Sequence, residues 1–364
     1  MVTAPRPRRR TVLVARLDNA GDVLLQGPLV RAVAAGADRV VLLAGPAGAA
    51  AAELLPGVDE VWTWACPWIL GDPPPLDPAD LAALTERVRD LAPDEALVST
   101  SFHQSPLPLA LVLRAAGAPR ISAISVDYPG SLLDVRHRVD DDLPEPERAL
   151  SLARAAGFEL PDGDDGRLAV RRPLPPVTHE PGYVVVHPGA SVPARAWPAE
   201  RCAEAVEALA DAGHRVLVTG GPAERELTAA VAGTRGFDLG GATTLAEMAA
   251  LLDGAAAVVV GNTGPAHLAA AVGTPVVSLF APVVPAARWA PYGVPSVLLG
   301  DQLAPCRDTR ARECPVPGHP CLTSVTAPDV VAAVDKLLST VQQPAVLRSP
   351  AAAREAAANL QGRT

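Results

Sequence analysis

Aromatic residues are scarce in this chain: three tyrosines, four phenylalanines and five tryptophans among 364 residues. Proline and glycine are abundant instead, at 39 and 29, alongside alanine, a pattern of GC-rich coding rather than of function. Long apolar runs are missing as well. The stretch Met1–Arg10 is basic through Arg6, Arg8, Arg9 and Arg10, and the apolar run after it is broken at Arg16 and Asp18. A secretory signal or a membrane span needs a longer unbroken stretch, so a solvated tail and a cytoplasmic protein are expected, with no transmembrane segment and at most peripheral association with the inner membrane face. A surplus of positive charge is also absent. The formal net charge of -9 argues against a general nucleic-acid binder and leaves room for a local basic pocket.

Several motifs are missing too. No Gly-x-Gly-x-x-Gly fingerprint follows a strand and no Walker loop is present, against a dinucleotide dehydrogenase or a P-loop kinase. No Gly-x-Ser-x-Gly elbow supports acyl transfer. The five cysteines are an odd number, with Cys66 and Cys202 isolated, which fits a reduced cytosolic protein. Cys306, Cys314 and Cys321, close to His319, lack the Cys-x2-Cys knuckle of structural zinc sites. Buried or loop-borne thiols are expected there, and no metal ligand is assigned.

What is present is a globular α/β pattern, with 49% apolar and 20% charged residues. The length suits two domains, because single cores usually stop growing well short of it. Short apolar runs alternate with helical stretches. Strands are expected at 11–17, 40–44, 60–64, 96–100 and 120–125, with helices from 23 towards 35 and at 81–91, 107–116 and 147–156. The segment 66–78 is too rich in Pro and Gly for a regular element. A second series gives strands at 184–187, 215–219, 237–239, 258–260 and 275–280, with helices near 198–212, after Pro222, at 244–252, after Pro265 and at 325–338. Thr244 with Glu247 has the form of a capping box. We therefore expect two Rossmann-like domains, 11–160 and 183–325, joined by a linker at 161–182. A helix at 326–338 is expected to return to the first domain, followed by a tail at 339–364. Parallel sheets carry loops at the carboxyl ends of their strands, so the ligand site belongs in the cleft between the domains.

The residues that can carry chemistry lie on those loops. Gly261-Asn262-Thr263-Gly264-Pro265-Ala266-His267 follows an apolar strand and opens a helix, with Pro265 where a first-turn proline belongs. The turn offers backbone N–H groups, a hydroxyl and an imidazole to a phosphate; the bland alternative is a βαβ turn with a capping threonine. Ser191 and Arg195 follow the first strand of the second series, where a guanidinium can clamp a diphosphate. A lone loop arginine is more often a solvated surface group. Glu224, after Gly220-Gly221-Pro222, suits ribose hydroxyls or a helix cap equally. Asp22 follows the first strand just after Gly21, where an acid serves either the helix end or proton removal. Asp18 and Asn19 compete with it for the second role. His187 ends a strand and faces either the cleft or the core.

Taken together, Arg16-Leu17-Asp18-Asn19-Ala20-Gly21-Asp22-Val23-Leu24-Leu25, His187-Pro188-Gly189-Ala190-Ser191, Arg195-Ala196-Trp197-Pro198, Gly261 to Ala269 and Gly273-Thr274-Pro275 resemble glycosyltransferase family 9, best known for the ADP-heptose–lipopolysaccharide heptosyltransferases. The resemblance spans about Thr11 to Leu338. It implies a GT-B fold, with two Rossmann-like domains whose parallel sheets face each other across a cleft. It also implies an inverting, metal-independent enzyme with no cofactor beyond its nucleotide-sugar co-substrate, an ADP-heptose or another ADP-sugar. The donor would sit mainly on the second domain, and a saccharide or glycosylated small-molecule acceptor on the first. Asp22 falls on the family's catalytic acid position, taken to deprotonate the attacking hydroxyl. Donor contacts would come from Ser191, Arg195, Gly221, Glu224, Asn262, Thr263, Gly264, Pro265 and His267. Arg195 stands where the lipopolysaccharide enzymes carry a lysine, and Asn262 where they carry an aspartate. The alternatives are a GDP-, UDP- or TDP-linked donor, or a non-catalytic nucleotide-sugar binding protein.

Overall fold

A computed structural model describes residues 10–69, 73, 75–101, 103–139 and 142–342. Most of the basic amino-terminal stretch, part of the 66–78 loop and most of the expected tail lie outside them. The first half contributes strands β1 (Thr11–Arg16), β2 (Arg39–Ala44), β3 (Glu60–Thr63), β4 (Glu95–Val98), β5 (Ile121–Ile124) and β6 (Val135–His137). Its helices are α1 (Ala20–Leu24), α2 (Gly27–Gly36), α3 (Ala49–Leu54), α4 (Pro78–Leu91), α5 (Leu107–Ala115) and α6 (Glu145–Ala156). The second half supplies β7 (Tyr183–His187), β8 (Val216–Gly220), β9 (Phe237–Gly240), β10 (Ala255–Gly261), β11 (Val276–Leu279) and β12 (Ser296–Leu299). With them come α7 (Ala199–Asp211), α8 (Arg225–Ala232), α9 (Leu245–Asp253), α10 (Gly264–Val272), α11 (Ala286–Trp289), α12 (Pro320–Thr323) and α13 (Ala327–Gln342).

Every strand pairing is parallel, and the two sheets repeat one topology: β3-β2-β1-β4-β5-β6 and, read from its other edge, β9-β8-β7-β10-β11-β12. In such sheets the chain winds in opposite directions from the first strand, and ligands bind where the order reverses. The reversal falls between β1 and β4 in one sheet and between β7 and β10 in the other. Strands buried on both faces read as continuous apolar runs, and this explains why Val12–Ala15 and Val258–Val260 were recognisable as strands.

The packing differs from expectation in three places. The helix expected from Val23 to Ala35 is two helices, because Pro28 lacks an N–H and sits in the first turn of α2, so the chain restarts there. The late helix reaches Gln342 and does not return to the first domain. It lies on α7 and on β10, β11 and β12, burying Val330, Val334 and Leu337 in the core of the second sheet. That face would otherwise stay uncovered, and α6 already fills the equivalent place on α2 of the first half. The interdomain stretch is not a loose tether over its whole length. Leu168 and Val170 are buried against the first half, Arg171 donates its backbone N–H to Leu54 O at 2.7 Å, and Arg31 pairs with Asp164. Strands β6 and β12 and helices α3, α11 and α12 were not anticipated: β6 has three half-buried residues with no alternation, α3 is mostly alanine, and α11 and α12 are single turns of four residues.

One apolar cluster runs through both halves, from Val12, Val14 and Leu24 to Val260, Ala266 and Leu268. Helices α1 and α10 touch, as do α3 and α9, so the floor of the cleft is packed solid.

Candidate active site

The cleft opens where the two topological reversals face each other. One wall comes from the loops after β1 and β4, through Asn19, Gly21, Asp22 and Ser101. The other comes from the loops after β7 and β10, through Ser191, Arg195, Asn262, Thr263, Gly264 and His267. Val284, Trp289 and Arg310 complete the rim.

The walls approach so closely because glycine occupies the contact. A Cβ on Gly21 would lie 3.0 Å from Gly264 Cα and 3.0 Å from His267 Cδ2. Gly261 does the same for the arginine loop, since a Cβ there would lie 3.1 Å from the Arg195 carbonyl oxygen. That loop is a short 3-10 turn, Pro193–Arg195, held from outside by the segment after β12: Ala194 donates its N–H to Arg312 O at 2.9 Å, and His319 Nε2 lies 3.2 Å from Ala194 O. Trp197 Nε1 donates to Leu322 O at 3.0 Å. Cys306 and Cys321 are buried in the same core, and burial pushes the Cys321 thiol up to about 11. All five cysteines are free, and among the described residues no three His, Cys, Asp or Glu side chains gather as metal ligands would. The cysteine-rich segment is therefore a buttress for the arginine loop.

The second wall is rich in buried polar atoms with no hydrogen-bond partner among the described residues: Arg195 Nε, both Asn262 amide atoms, Thr263 Oγ1 and His267 Nδ1. Thr263 stands at the N-cap of α10, but its side chain makes no capping hydrogen bond. Polar groups buried in this way cost free energy unless something binds them. Burial, with Arg195 nearby, pulls the His267 imidazole down to about 4, so it is neutral at ordinary pH. Burial also lowers the Arg195 guanidinium, while Asp22 opposes that.

On the first wall, Asp22 and Asp18 part company. Asp18 is 7% exposed and its Oδ2 is engaged by Arg16 and Ser101. Asp22 is 22% exposed, lines the cleft and receives Arg16 Nη2 on Oδ1 at 3.0 Å. Desolvation raises its carboxyl to about 6 despite the opposing Arg16 charge, with Asp18 and Glu145 adding to the rise.

Three expected residues do not line the cleft. Pro265 lies in the first turn of α10, where it shapes the helix start. Gly221 gives its N–H to Glu224 Oε2 at 2.7 Å, so the glutamate serves its own turn as a cap. The Glu224 carboxylate also rests where a Cβ on Gly189 would sit. His187 points into the protein, with Nδ1 3.2 Å from Thr219 Oγ1. Arg310 and Ser101 were missed. Arg310 belongs to an aperiodic loop whose only sequence signal is the cluster Arg307, Arg310 and Arg312; Ser101 gave none.

Comparison with known proteins agrees with this architecture. The family model described as glycosyltransferase family 9 (heptosyltransferase) matches residues 86–318. A lipopolysaccharide heptosyltransferase 3 of Escherichia coli is 33% identical over 165 residues, 43% of this chain and 47% of that protein. The chain thus spans about half the length of such curated relatives. Among solved structures, a family 9 glycosyltransferase from Veillonella parvula superposes with a TM-score of 0.71 at 18% identity, over 91% of this chain and 97% of the other. The E. coli heptosyltransferase WaaC with ADP-2-deoxy-2-fluoro heptose gives 0.68 at 21% identity, over 90% and 99%. At these identities the likeness is one of fold, the two-domain GT-B arrangement.

Proposed function

The chain belongs to glycosyltransferase family 9, and from that premise we propose that it is an inverting, metal-independent glycosyltransferase. It moves a sugar, heptose in the leading reading, from an ADP-sugar to a hydroxyl of a glycan or glycosylated metabolite. One observation carries this reading: a cleft-lining carboxylate, Asp22, faces a wall of cationic and unpartnered polar groups, Arg195, Asn262, Thr263 and His267. The solved WaaC complex, whose ligand is an ADP-fluoroheptose, supports the choice of donor class.

In this mechanism the acceptor lies on the first wall and the donor diphosphate on the second. Asp22 takes the proton of the acceptor hydroxyl as its oxygen attacks the anomeric carbon. The bond from that carbon to the diphosphate breaks on the opposite face, and the nucleotide leaves with the electron pair. The developing charge meets Arg195, the Thr263 hydroxyl, the neutral His267 ring and the N–H groups at the start of α10. Fixed donors of this kind supply the stabilisation that other transferases draw from a divalent ion. Asp22 is favoured over Asp18 because it alone of the two lines the cleft, while Asp18 Oδ2 is already engaged.

Asn262 supports a second reading, a different nucleotide sugar. It is 4% exposed, and its amide has both a donor and an acceptor to offer where the lipopolysaccharide enzymes have an anion. Thermal-shift titration with ADP-, GDP-, UDP- and TDP-sugars separates the two. The expected result is the largest rise in Tm with the ADP-sugar, followed by product formation when acceptors are supplied. A larger shift with another nucleotide selects the second reading, and no shift with any of them rejects both.

A further inference from the structure

Arg16 ends β1 with its side chain fully buried, and the proposed chemistry has not used it. Its Nη2 alone reaches three acceptors: Asp18 Oδ2 at 3.1 Å, Asp22 Oδ1 at 3.0 Å and Ser101 Oγ at 2.9 Å. Ser101 Oγ donates its own hydrogen bond to Asp18 Oδ2 at 2.9 Å. Behind the guanidinium, Glu145 Oε2 lies 3.9 Å from Arg16 Nη1 and 3.7 Å from Arg148 Nη1, and Arg148 donates to Thr100 O at 2.8 Å. Glu145 is 1% exposed and Arg148 7%. The cluster joins β1, the loops after β1 and β4, and the first turn of α6.

Resting on the proposed function, we propose that Arg16 is a positioning residue for the base: it pins one oxygen of Asp22 to the cleft wall, with Glu145 as the buried counter-charge that keeps Arg16 from neutralising Asp22 completely. The arrangement is costly as a mere stabilising device, because buried ions must recover several kcal/mol of desolvation each, and apolar packing would do as well. Its charge count fits a tuned base. Two guanidinium groups face three carboxylates within the cluster, and Arg195 acts on Asp22 from across the cleft. Glu145 is buried and Asp18 is less exposed than Asp22, so a proton from the cleft reaches Asp22 most readily. Other charged and titratable groups near this cluster are Arg195 and His267 across the cleft, Arg310 at its rim, and His103, which feels the charges of Arg310, Asp18 and Arg16.

Arg16 and Glu145 push Asp22 in opposite directions, and a purely structural role has no such signature. The test compares R16Q, R16K and E145Q in the full chain. It reads the Asp22 carboxyl titration by carbon-13 NMR, assigned by its loss in D22N, and the acid limb of kcat/KM. In R16Q the Asp22 midpoint should rise by about one pH unit, a tenfold change in its ionisation equilibrium, and turnover near neutrality should fall more than donor KM changes. R16K should restore most of both, since an ammonium keeps the charge and offers three donors. E145Q should move the midpoint down. A midpoint that stays put in all three variants overturns the proposal, as does a shift of the same sign in R16Q and E145Q. Should R16Q fail to fold, R16K and E145Q still decide it. If the NMR shifts occur as expected while D22N keeps full turnover, the positioning stands and the assignment of Asp22 as base falls.

Discussion

Replacing Asp22 with Asn keeps the shape and removes the proton acceptor. Turnover should fall by about a hundred- to ten-thousandfold, the usual contribution of a positioned base, with nucleotide affinity nearly unchanged. Initial rates and ADP titration calorimetry on the same preparation check both halves, and wild-type turnover would remove Asp22 from the reaction. The pH dependence has a definite sign. Burial raises this carboxyl from 3.8 to about 6, and the base works only when ionised. The kcat/KM profile should therefore lose activity as pH falls through about 6, and that limb should vanish in D22N. The same shift means the folded protein takes up a proton between the two values. The stabilisation this group gives is present at low pH and lost as pH rises through about 6. Arg195 makes the complementary case. Truncation to Ala should weaken ADP binding about tenfold to a hundredfold, as expected for one or two hydrogen bonds to a charged group. Unchanged ADP affinity would show that the guanidinium does not hold the phosphates.

At the scale of elements, the site depends on two helix starts meeting without side chains between them. Gly21 in α1 and Gly264 in α10 make that contact, and a methyl at Gly21 would press on Gly264 Cα and the His267 ring at 3.0 Å. G21A should force the walls apart by a few tenths of an ångström. We expect a loss of about 1–3 kcal/mol of stability, typical of overpacking, and a larger loss of turnover, since about 1 Å of misplacement can cost a hundredfold. Chemical denaturation and steady-state rates measure the two. Full activity with normal stability would mean that the contact is looser in solution. The loop after β12 acts at the same scale, through the hold of His319, Arg312 and Leu322 on the arginine loop. Sequence reading took its cysteines as buried or loop-borne thiols and missed its work as a buttress, because the partners lie more than a hundred positions away. The capping box at Thr244 and Glu247, a contact of three residues' span, was legible and is present.

Across the whole molecule, the two sheets share one apolar cluster, and each half has a further cluster of its own. The cluster containing Val12, Leu24 and Val33 also contains Val260, Leu268 and Met248, so neither half can expose its inner face without uncovering the other. Unfolding in urea should then follow a single transition, with far-UV circular dichroism and tryptophan fluorescence coincident. Two separated transitions would mean that the halves are held by their own cores alone. Among the described residues no helix is long and apolar enough to cross a membrane.

The sequence by itself determined the alternation of strands and helices, the parallel sheets, and the motifs that tie Asp22, Arg195, Thr263 and His267 to one family. Those features are local: apolar runs, glycine turns and first-turn prolines act within a few residues of where they are written. Tertiary structure decided everything that needed two distant segments at once. It turned α13 onto the second sheet because that face was bare, folded Glu224 back onto Gly221 as a cap, and brought Arg310 to the rim of the cleft. It also separated Asp22 from Asp18, two acids four positions apart on one loop. Arg16 and Ser101 engage Asp18 Oδ2, while Asp22, which Arg16 also reaches, lines the cleft. Burial and electrostatics at that point depend on side chains drawn from β1, the loop after β4 and α6, and no spacing along the chain encodes their meeting.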